Sequence, residues 1–364
     1  MAESGLRPVV PRWQRALLRG VAPLTSPRTP DDYVQMLNPR WSSRELRGTV
    51  ERVDAETADA TTLTIRPCRP WPGHQAGQYL RIGVDIDGVR HWRAYSLSSD
   101  AGRTDGLLQI TVKRVAGGAV SPYLTSVVRP GTIVTLGGVE GTFTLPDPAA
   151  GPLLLLTAGS GVTPVMAILR GLDARGALDD VVHVHSAPTA ETTIFAAALT
   201  AFDARHPGLT LHVRHTRADG RLAPDGLDTL VPDWRTRQTL ACGPASMLAA
   251  LSAHWDAAGL RSRLRLEHFA PHLEPGVGGT GGTVTLTRSG VTAFAEGGQP
   301  LLAAAEDAGV AAPFGCRMGI CQTCVRRLVS GRVRDLRTGE VHGEPGRFIR
   351  TCVNAAEGPV ELEL

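Results

Sequence analysis

Residues Pro152 to Leu169, PLLLLTAGSGVTPVMAIL, run from an unbroken apolar block through a glycine-bearing turn into a second apolar block. The first block reads as a strand and the second as a helix, opened by GSGVTP with Thr163 and Pro164 in its first turn. Gly159 and Gly161 leave room for the backbone to approach a pyrophosphate at that helix N-terminus. The stretch is broken by Gly, Ser and Pro well before membrane-spanning length, which argues against an integral membrane protein.

Downstream, β-runs keep alternating with helical segments: VVHVHSA then TTIFAAALTAFDARH, LTLHVRHT, and QTLACG then ASMLAALSAHW. Such alternation predicts a parallel α/β sheet over residues 149–270. In its last helix Met247, Leu248, Leu251 and Trp255 recur at helical spacing behind Pro244. Upstream, over 47–148, six short β-rich runs are separated by Gly, Pro and Asp turns, the pattern of an antiparallel barrel. Pro271 to Gly282 holds five glycines and no apolar periodicity, so it reads as a flexible linker with a span of roughly 20 Å. Beyond it, residues 283–364 begin with a hairpin-like pair and a short helix, PLLAAAEDAG. The 364 residues thus divide into three domains behind an N-terminal extension, residues 1–46.

Four of the six cysteines lie in the last 50 residues. Cys316, Cys321 and Cys324 have C-x4-C-x2-C spacing in CRMGICQTC, and Cys352 follows after 27 residues. This is the plant-type 2Fe-2S arrangement, in which three thiolates of one loop wrap a cluster edge and a distant fourth closes it. Gly315 and Gly319 allow the loop to turn tightly against the inorganic sulfurs. The alternative, a structural zinc site, more often presents separated short-spaced cysteine pairs. Cys68, isolated in RPCRP, reads as unliganded, and the eleven histidines, without metal-ligand spacing to carboxylates, as surface or structural. With a net charge of +3, one lysine (Lys113) and no basic stripe interleaved with aromatics, no nucleic-acid partner is expected. The N-terminus lacks an uninterrupted hydrophobic signal, which points to the cytoplasm, where clustered cysteines bind metal rather than pair.

A third signal is RAYSLSS, Arg93 to Ser99, at a strand end, followed by ITVKR and GGAVSPYL. A guanidinium beside an aromatic and a hydroxyl suits a flavin: Arg93 for the pyrophosphate, Tyr95 against the ring or ribityl chain, Ser96 towards N5. Gly117, Gly118 and Ser121 would open a phosphate-facing helix. Taken in order, RAYS, GSGVTP and CGP (Cys242, Gly243, Pro244) resemble the ferredoxin-NADP reductase family over about Arg47 to Pro271, and CRxGxCxxC resembles plant-type ferredoxins. The resemblance implies an antiparallel flavin-binding β-barrel, a nucleotide-binding parallel α/β sheet and a C-terminal β-grasp ferredoxin domain. It implies FAD held by residues including Val112, Lys113 and Gly118, and Cys242 near the hydride path. Pro188 stands where several relatives carry an arginine, whereas HTRADGRL resembles the segment gripping the NADP 2'-phosphate, implying Thr216, Arg217 and Arg221. Glu267 and Phe269 match an acid and an aromatic that relatives place near the flavin.

The layout therefore implies an oxidoreductase carrying electrons from NADPH through FAD and a 2Fe-2S cluster to a separate acceptor. It resembles reductases of actinobacterial acyl-CoA desaturases; a ring-hydroxylating or phenylacetyl-CoA-type oxygenase is the alternative partner, and a carrier module with an inactive reductase part the alternative of another class. In residues 1–46 seven arginines face four acids, and Trp13, Leu17, Leu18 and Val21 share one helical face. That pattern suits peripheral membrane contact, or packing on the barrel.

Overall fold

The structure, a computed structural model, describes residues 33, 36–38, 40–42, 45–145, 151–269, 278–314, 317, 319 and 322–364. The helix expected from Trp13 to Val21, most of the glycine-rich linker, Cys316 and Cys321 lie outside the described residues. The chain separates into two compact units, Met1–Glu267 and His268–Leu364.

The six runs upstream of the quoted stretch form six strands: β1 (Leu46–Thr57), β2 (Ala60–Pro67), β3 (Tyr79–Ile86), β4 (Val89–Ser96), β5 (Leu108–Lys113) and β6 (Ile133–Glu140). Their order is β4-β3-β6-β1-β2-β5, with every pairing antiparallel. A bridge between Leu97, just past β4, and Ile110 of β5 joins the two edges and closes the sheet into a barrel. Closure leaves no exposed edge. Alternating residues such as Leu63, Ile65, Leu80, Ile82, Ile110 and Val112 fill the interior.

The α/β sheet follows: β7 (Leu153–Ala158), β8 (Val181–Ala187), β9 (Leu209–His215), β10 (Gln238–Cys242) and β11 (Leu264–Glu267), all parallel, in the order β11-β10-β7-β8-β9. Helix α1 (Val162–Ala174) is buried along nearly its whole length, which explains why its sequence shows little polar relief. It packs with α2 (Ala196–Arg205) on one face of the sheet, while α3 (Ala245–Ala257) turns Leu248, Leu251 and Trp255 to the other, as their spacing predicts.

One residue of α1 breaks its apolar run. Arg170 reaches across to the barrel, donating to Ser98 O at 2.6 Å and Gln109 Oε1 at 2.9 Å, with its guanidinium 5.4 Å from the centre of the Phe195 ring. Close packing accompanies it: a Cβ on Gly77 would meet Phe143 O at 1.9 Å.

In the C-terminal unit, β12 (Gly282–Leu286) and β13 (Val291–Ala295) form the expected hairpin, and α4 (Leu301–Asp307) covers the sheet. The long β14 (Val325–Asp335) pairs with β15 (Val341–His342), β16 (Phe348–Arg350) and β17 (Asn354–Leu362), giving the order β13-β12-β17-β14-β15 with β16 on β14. Only β12–β17 is parallel. This mixed sheet with one crossing helix is the expected β-grasp. The last residues read as linker are already docked, Gly281 N–H donating to Ala356 O at 3.1 Å.

Candidate cofactor sites

At the carboxyl ends of the parallel strands, register places Glu267, Cys242, Thr157 and His185 in one row across β11, β10, β7 and β8. Ligands in open α/β sheets bind at such strand ends. Gly161 packs over this row so closely that a Cβ would lie 2.1 Å from Cys242 O and 2.5 Å from its carbonyl carbon. Its φ of −61° is ordinary, so close approach alone requires the glycine. Gly159, in contrast, has φ +54° and open space around its Cβ position. A Cβ on Gly243 would meet Met247 and Ala158, and Pro244 caps α3. Thr163, buried, donates to Ser160 O at 2.9 Å and ties the turn to the first helical residues.

The chemistry of the row follows from its dryness. Burial, aided by the Glu267 charge, pushes the Cys242 thiol well up, so it stays neutral. Burial likewise pushes the Glu267 carboxyl up to about 7, so it can hold or release a proton near neutrality. Thr157 Oγ1 lies 2.8 Å from both His183 Nε2 and His185 Nδ1. Desolvation lowers both histidines, His185 to about 4, so they are neutral core residues, structural as the sequence suggested.

The turn after β9, Thr216–Asp219, is fixed by Arg217 N–H donating to Pro188 O at 3.1 Å and by His215 N–H donating to the Asp219 carboxylate at 2.8 Å. The HTRADGRL segment thus lies directly beside the proline that replaces an arginine. A cavity of about 300 Å³ opens next to it, lined by Arg214, Arg221, Leu222, Ala223, Gly226, Thr229 and Leu230. Arg221 lines this cavity; Thr216 and Arg217 do not. Arg214, which sequence reasoning missed, was detectable only as a second guanidinium seven residues before Arg221.

On the barrel, Arg93 and Tyr95 share one face of β4, opposite Ile82 and Leu80, while buried Ser96 points the other way. Burial raises the Tyr95 phenol far above its ordinary value, keeping it an uncharged, mostly apolar platform. Arg93 Nη1 donates to Trp92 O at 2.8 Å. Val112 is buried and Lys113, 3.7 Å from Asp59, ends β5. The helix expected after Gly118 is one short turn, Val120–Pro122, passing into a π-turn, Tyr123–Val127. Ser121 Oγ there accepts from Val115 N–H at 3.0 Å, closing the loop on itself.

In the C-terminal unit, Cys324 at the start of β14 and Cys352 just past β16 bring their Sγ atoms to 3.2 Å, and Gly319 N–H donates to Cys352 Sγ at 3.2 Å. Among the described residues of the loop, Arg317, Gly319 and Gln322 carry positive φ. Arg317 forms a two-pronged pair with Glu306 of α4, at 2.6 and 2.9 Å, which anchors the loop. Two convergent thiols with an amide aimed at sulfur fit a thiolate-held iron–sulfur cluster.

Comparison with known proteins identifies two cofactor-binding domains. Residues 284–357 match the 2Fe-2S iron-sulfur cluster binding domain and residues 62–145 the oxidoreductase FAD-binding domain. The chain is 49% identical over 97% of its length to an NADPH oxidoreductase of Mycobacterium tuberculosis, covering 93% of that protein. It is 30% identical to the NADH oxidoreductase HCR of Escherichia coli, over 78% of this chain and 85% of the relative. Among solved structures, phthalate dioxygenase reductase, titled a modular structure for electron transfer from pyridine nucleotides to [2Fe-2S], superposes with a TM-score of 0.60 at 25% identity, covering 88% of this chain and 98% of that one.

Proposed function

Because the chain belongs to the family of NAD(P)H oxidoreductases that join an FAD-binding domain to a 2Fe-2S domain, we propose that it supplies electrons from NADPH to a separate oxygen-activating iron enzyme, an acyl-CoA desaturase. Its cofactors are FAD, NADPH and a 2Fe-2S cluster. When bound, FAD would supply the exchange between a two-electron donor and single electrons, and a cluster held by the four cysteines would supply one-electron transfer.

The proposed division is a FAD-binding barrel over 47–148, an NADP-binding domain over 149–270, a linker over 271–282 and a ferredoxin domain over 283–364. Arg93, Tyr95, Ser96, Val112, Lys113, Gly118 and Ser121 hold the flavin. Gly159, Gly161 and Thr163 form the pyrophosphate cradle, with Cys242, Gly243 and Pro244 at the nicotinamide end. Thr216, Arg217 and Arg221 take the 2'-phosphate. Ser96 and Cys242 flank the reacting atoms, Ser96 as a hydrogen-bond donor and Cys242 as a small neutral wall. The cluster ligands are Cys316, Cys321, Cys324 and Cys352. Protein catalysis in such a chain is mostly positioning.

The observation that carries the reading is the Gly161–Cys242 approach in the same chain as the convergent Cys324 and Cys352 thiols: a dry nucleotide end and a thiolate site. The acceptor separates two versions. A desaturase is supported by the resemblance of the whole layout, and a soluble oxygenase by the near-complete cover of phthalate dioxygenase reductase. The experiment is anaerobic NADPH titration of the purified holoprotein, followed by turnover with desaturase-containing membranes or with soluble oxygenase components. Reduction of both flavin and cluster, with stearoyl-CoA desaturation in the first mixture only, supports the desaturase. Coupling only to the soluble oxygenase overturns it, and a cluster that NADPH leaves oxidised overturns the electron path.

A further inference from the structure

The hairpin formed by β14 and β16 is the part of the C-terminal unit that joins two cluster ligands: Cys324 immediately precedes β14 and Cys352 follows β16 by two residues. Val325 pairs with Arg350, Arg326 with Ile349 and Arg327 with Phe348. Residues opposite one another in an antiparallel pair share a face, and faces alternate along each strand. The inward face carries Leu328 and Ile349, both in the core. The outward face carries Val325, Arg327, Phe348 and Arg350, and alternation along β14 adds Val329.

Two properties set this face apart from an ordinary solvated strand. Phe348 is 70% and Val329 38% exposed, large apolar side chains standing beside guanidiniums rather than scattered singly. The guanidiniums also stand outside salt bridges. Five other arginines of this unit are paired, Arg288 with Glu363, Arg317 with Glu306, Arg334 with Glu357, Arg337 with Asp335 and Arg347 with Glu344. Among the described residues, Arg327 and Arg350 form no salt bridge; the acids they act on, Glu363 for Arg327 and Asp335 for Arg350, are already held by Arg288 and Arg337, each at 2.6 Å. Over residues 322–353 seven arginines face three carboxylates, although residues 283–364 as a whole are balanced, nine against nine. The arginine excess therefore falls in the segment that joins Cys324 to Cys352.

We infer that the Val325–Arg327–Val329–Phe348–Arg350 face is the docking surface for the electron acceptor, and that the acceptor presents an acidic surface with an apolar centre next to its own redox group. This rests on the electron-transfer reading above. Apolar centre and charged rim are the anatomy of a transient protein interface, and complementary charge acts chiefly on encounter rate. An exposed aromatic beside arginine is the composition that concentrates binding energy in such interfaces. Along the chain this face also lies between Cys324 and Cys352, the two described cluster ligands, each within two residues of a strand that builds it.

The test uses the full-length holoprotein and two haem proteins of opposite charge as probes, the acidic soluble domain of a cytochrome b5 and basic cytochrome c. Anaerobic bleaching of the cluster by NADPH is measured first in wild type and in Arg327→Glu/Phe348→Ser, since failure there sinks the electron path and not the docking surface. With cluster reduction equal in both, the inference expects cytochrome b5 reduction to be faster at about 0.02 M than at about 0.3 M salt. It expects the double variant to lose about tenfold or more of that rate while cytochrome c reduction is unchanged or faster. Arg288→Glu, altering a paired arginine on another edge, is the charge control and leaves both rates near wild type. Equal losses with both probes, no loss with either, or the same loss from Arg288→Glu overturns the inference. So does a wild-type dimer in sedimentation that the double variant abolishes, because the face would then serve a second copy of this chain.

Discussion

Gly161→Ala adds one methyl group to a backbone of ordinary dihedrals, so its effect comes from contact alone. The new Cβ would lie 2.1 Å from Cys242 O, 2.5 Å from Cys242 C and 2.9 Å from Gly243 N. Carbon–oxygen contacts in packed interiors begin near 3.2 Å, so the start of α1 and the end of β10 must part by about 1 Å. Overpacking of this kind costs about 1–3 kcal/mol. At roughly 2–4 °C per kcal/mol for a protein of this unit's size, the nucleotide-binding unit should melt some 2–12 °C lower. The kinetic loss should be larger, because misplacing reacting groups by about 1 Å can cost about a hundredfold. Stopped-flow reduction of the flavin by NADPH reads this directly, and transfer to ferricyanide reads it in the steady state. Gly159→Ala is the contrast: its Cβ has open space but its φ of +54° is left-handed, so a cost of about 1–2 kcal/mol should appear in stability without the same loss of hydride transfer. A Gly161→Ala protein with unchanged melting and flavin reduction within about twofold of wild type would refute the close-approach argument.

Three more outcomes are expected. Glu267, whose folded carboxyl is raised to about 7 from an ordinary 4.5, binds more protons folded than unfolded between those values; its stabilising contribution is therefore complete below about 4.5 and lost as pH rises through about 7, a decline that thermal melting of Glu267→Gln should lack, together with the pH dependence of flavin reduction near neutrality. Arg217→Ala and Arg221→Ala should raise KM for NADPH about tenfold or more with little change for NADH, since hydrogen bonds to a charged phosphate contribute ~1.5–3 kcal/mol; equal effects on both coenzymes would mean the 2'-phosphate binds elsewhere. Cys324→Ser should abolish reduction of protein acceptors yet leave NADPH–ferricyanide activity within about twofold, and loss of both in a flavin-loaded protein would break the separation of the two sites.

The elements were legible because their determinants are local. Apolar alternation marks β1–β6, the change of period at Pro152 marks the parallel sheet, and cysteine spacing marks the cluster loop. The relations between elements were not. Nothing local tells that β10 lies beside β7, and only that neighbour relation sets Cys242 between Glu267 and Thr157 and makes Gly161 indispensable. His183 and His185 looked unremarkable until Thr157 proved to hold both. Arg214 is hidden for the same reason: its cavity is completed by residues 221–230, which fold back beside β9. The helix expected after Gly118 opens at Val120 and passes into a π-turn, a change of winding that the sequence does not announce, with Ser121 Oγ accepting from Val115 N–H.

Arg170 bears on how this protein could have been assembled from parts. Its guanidinium belongs to α1, but its acceptors, Ser98 O and Gln109 Oε1, belong to the barrel. A buried cation stripped of its acceptors costs several kcal/mol, and burial already lowers this group's pKa. The barrel and the parallel sheet therefore cannot be exchanged between relatives as freely as beads on a string. A chimera that keeps α1 but imports a barrel lacking an acceptor at position 109 inherits a stranded charge at its seam. Recombination, natural or engineered, should find its tolerated crossover points beyond Glu267 rather than between β6 and β7.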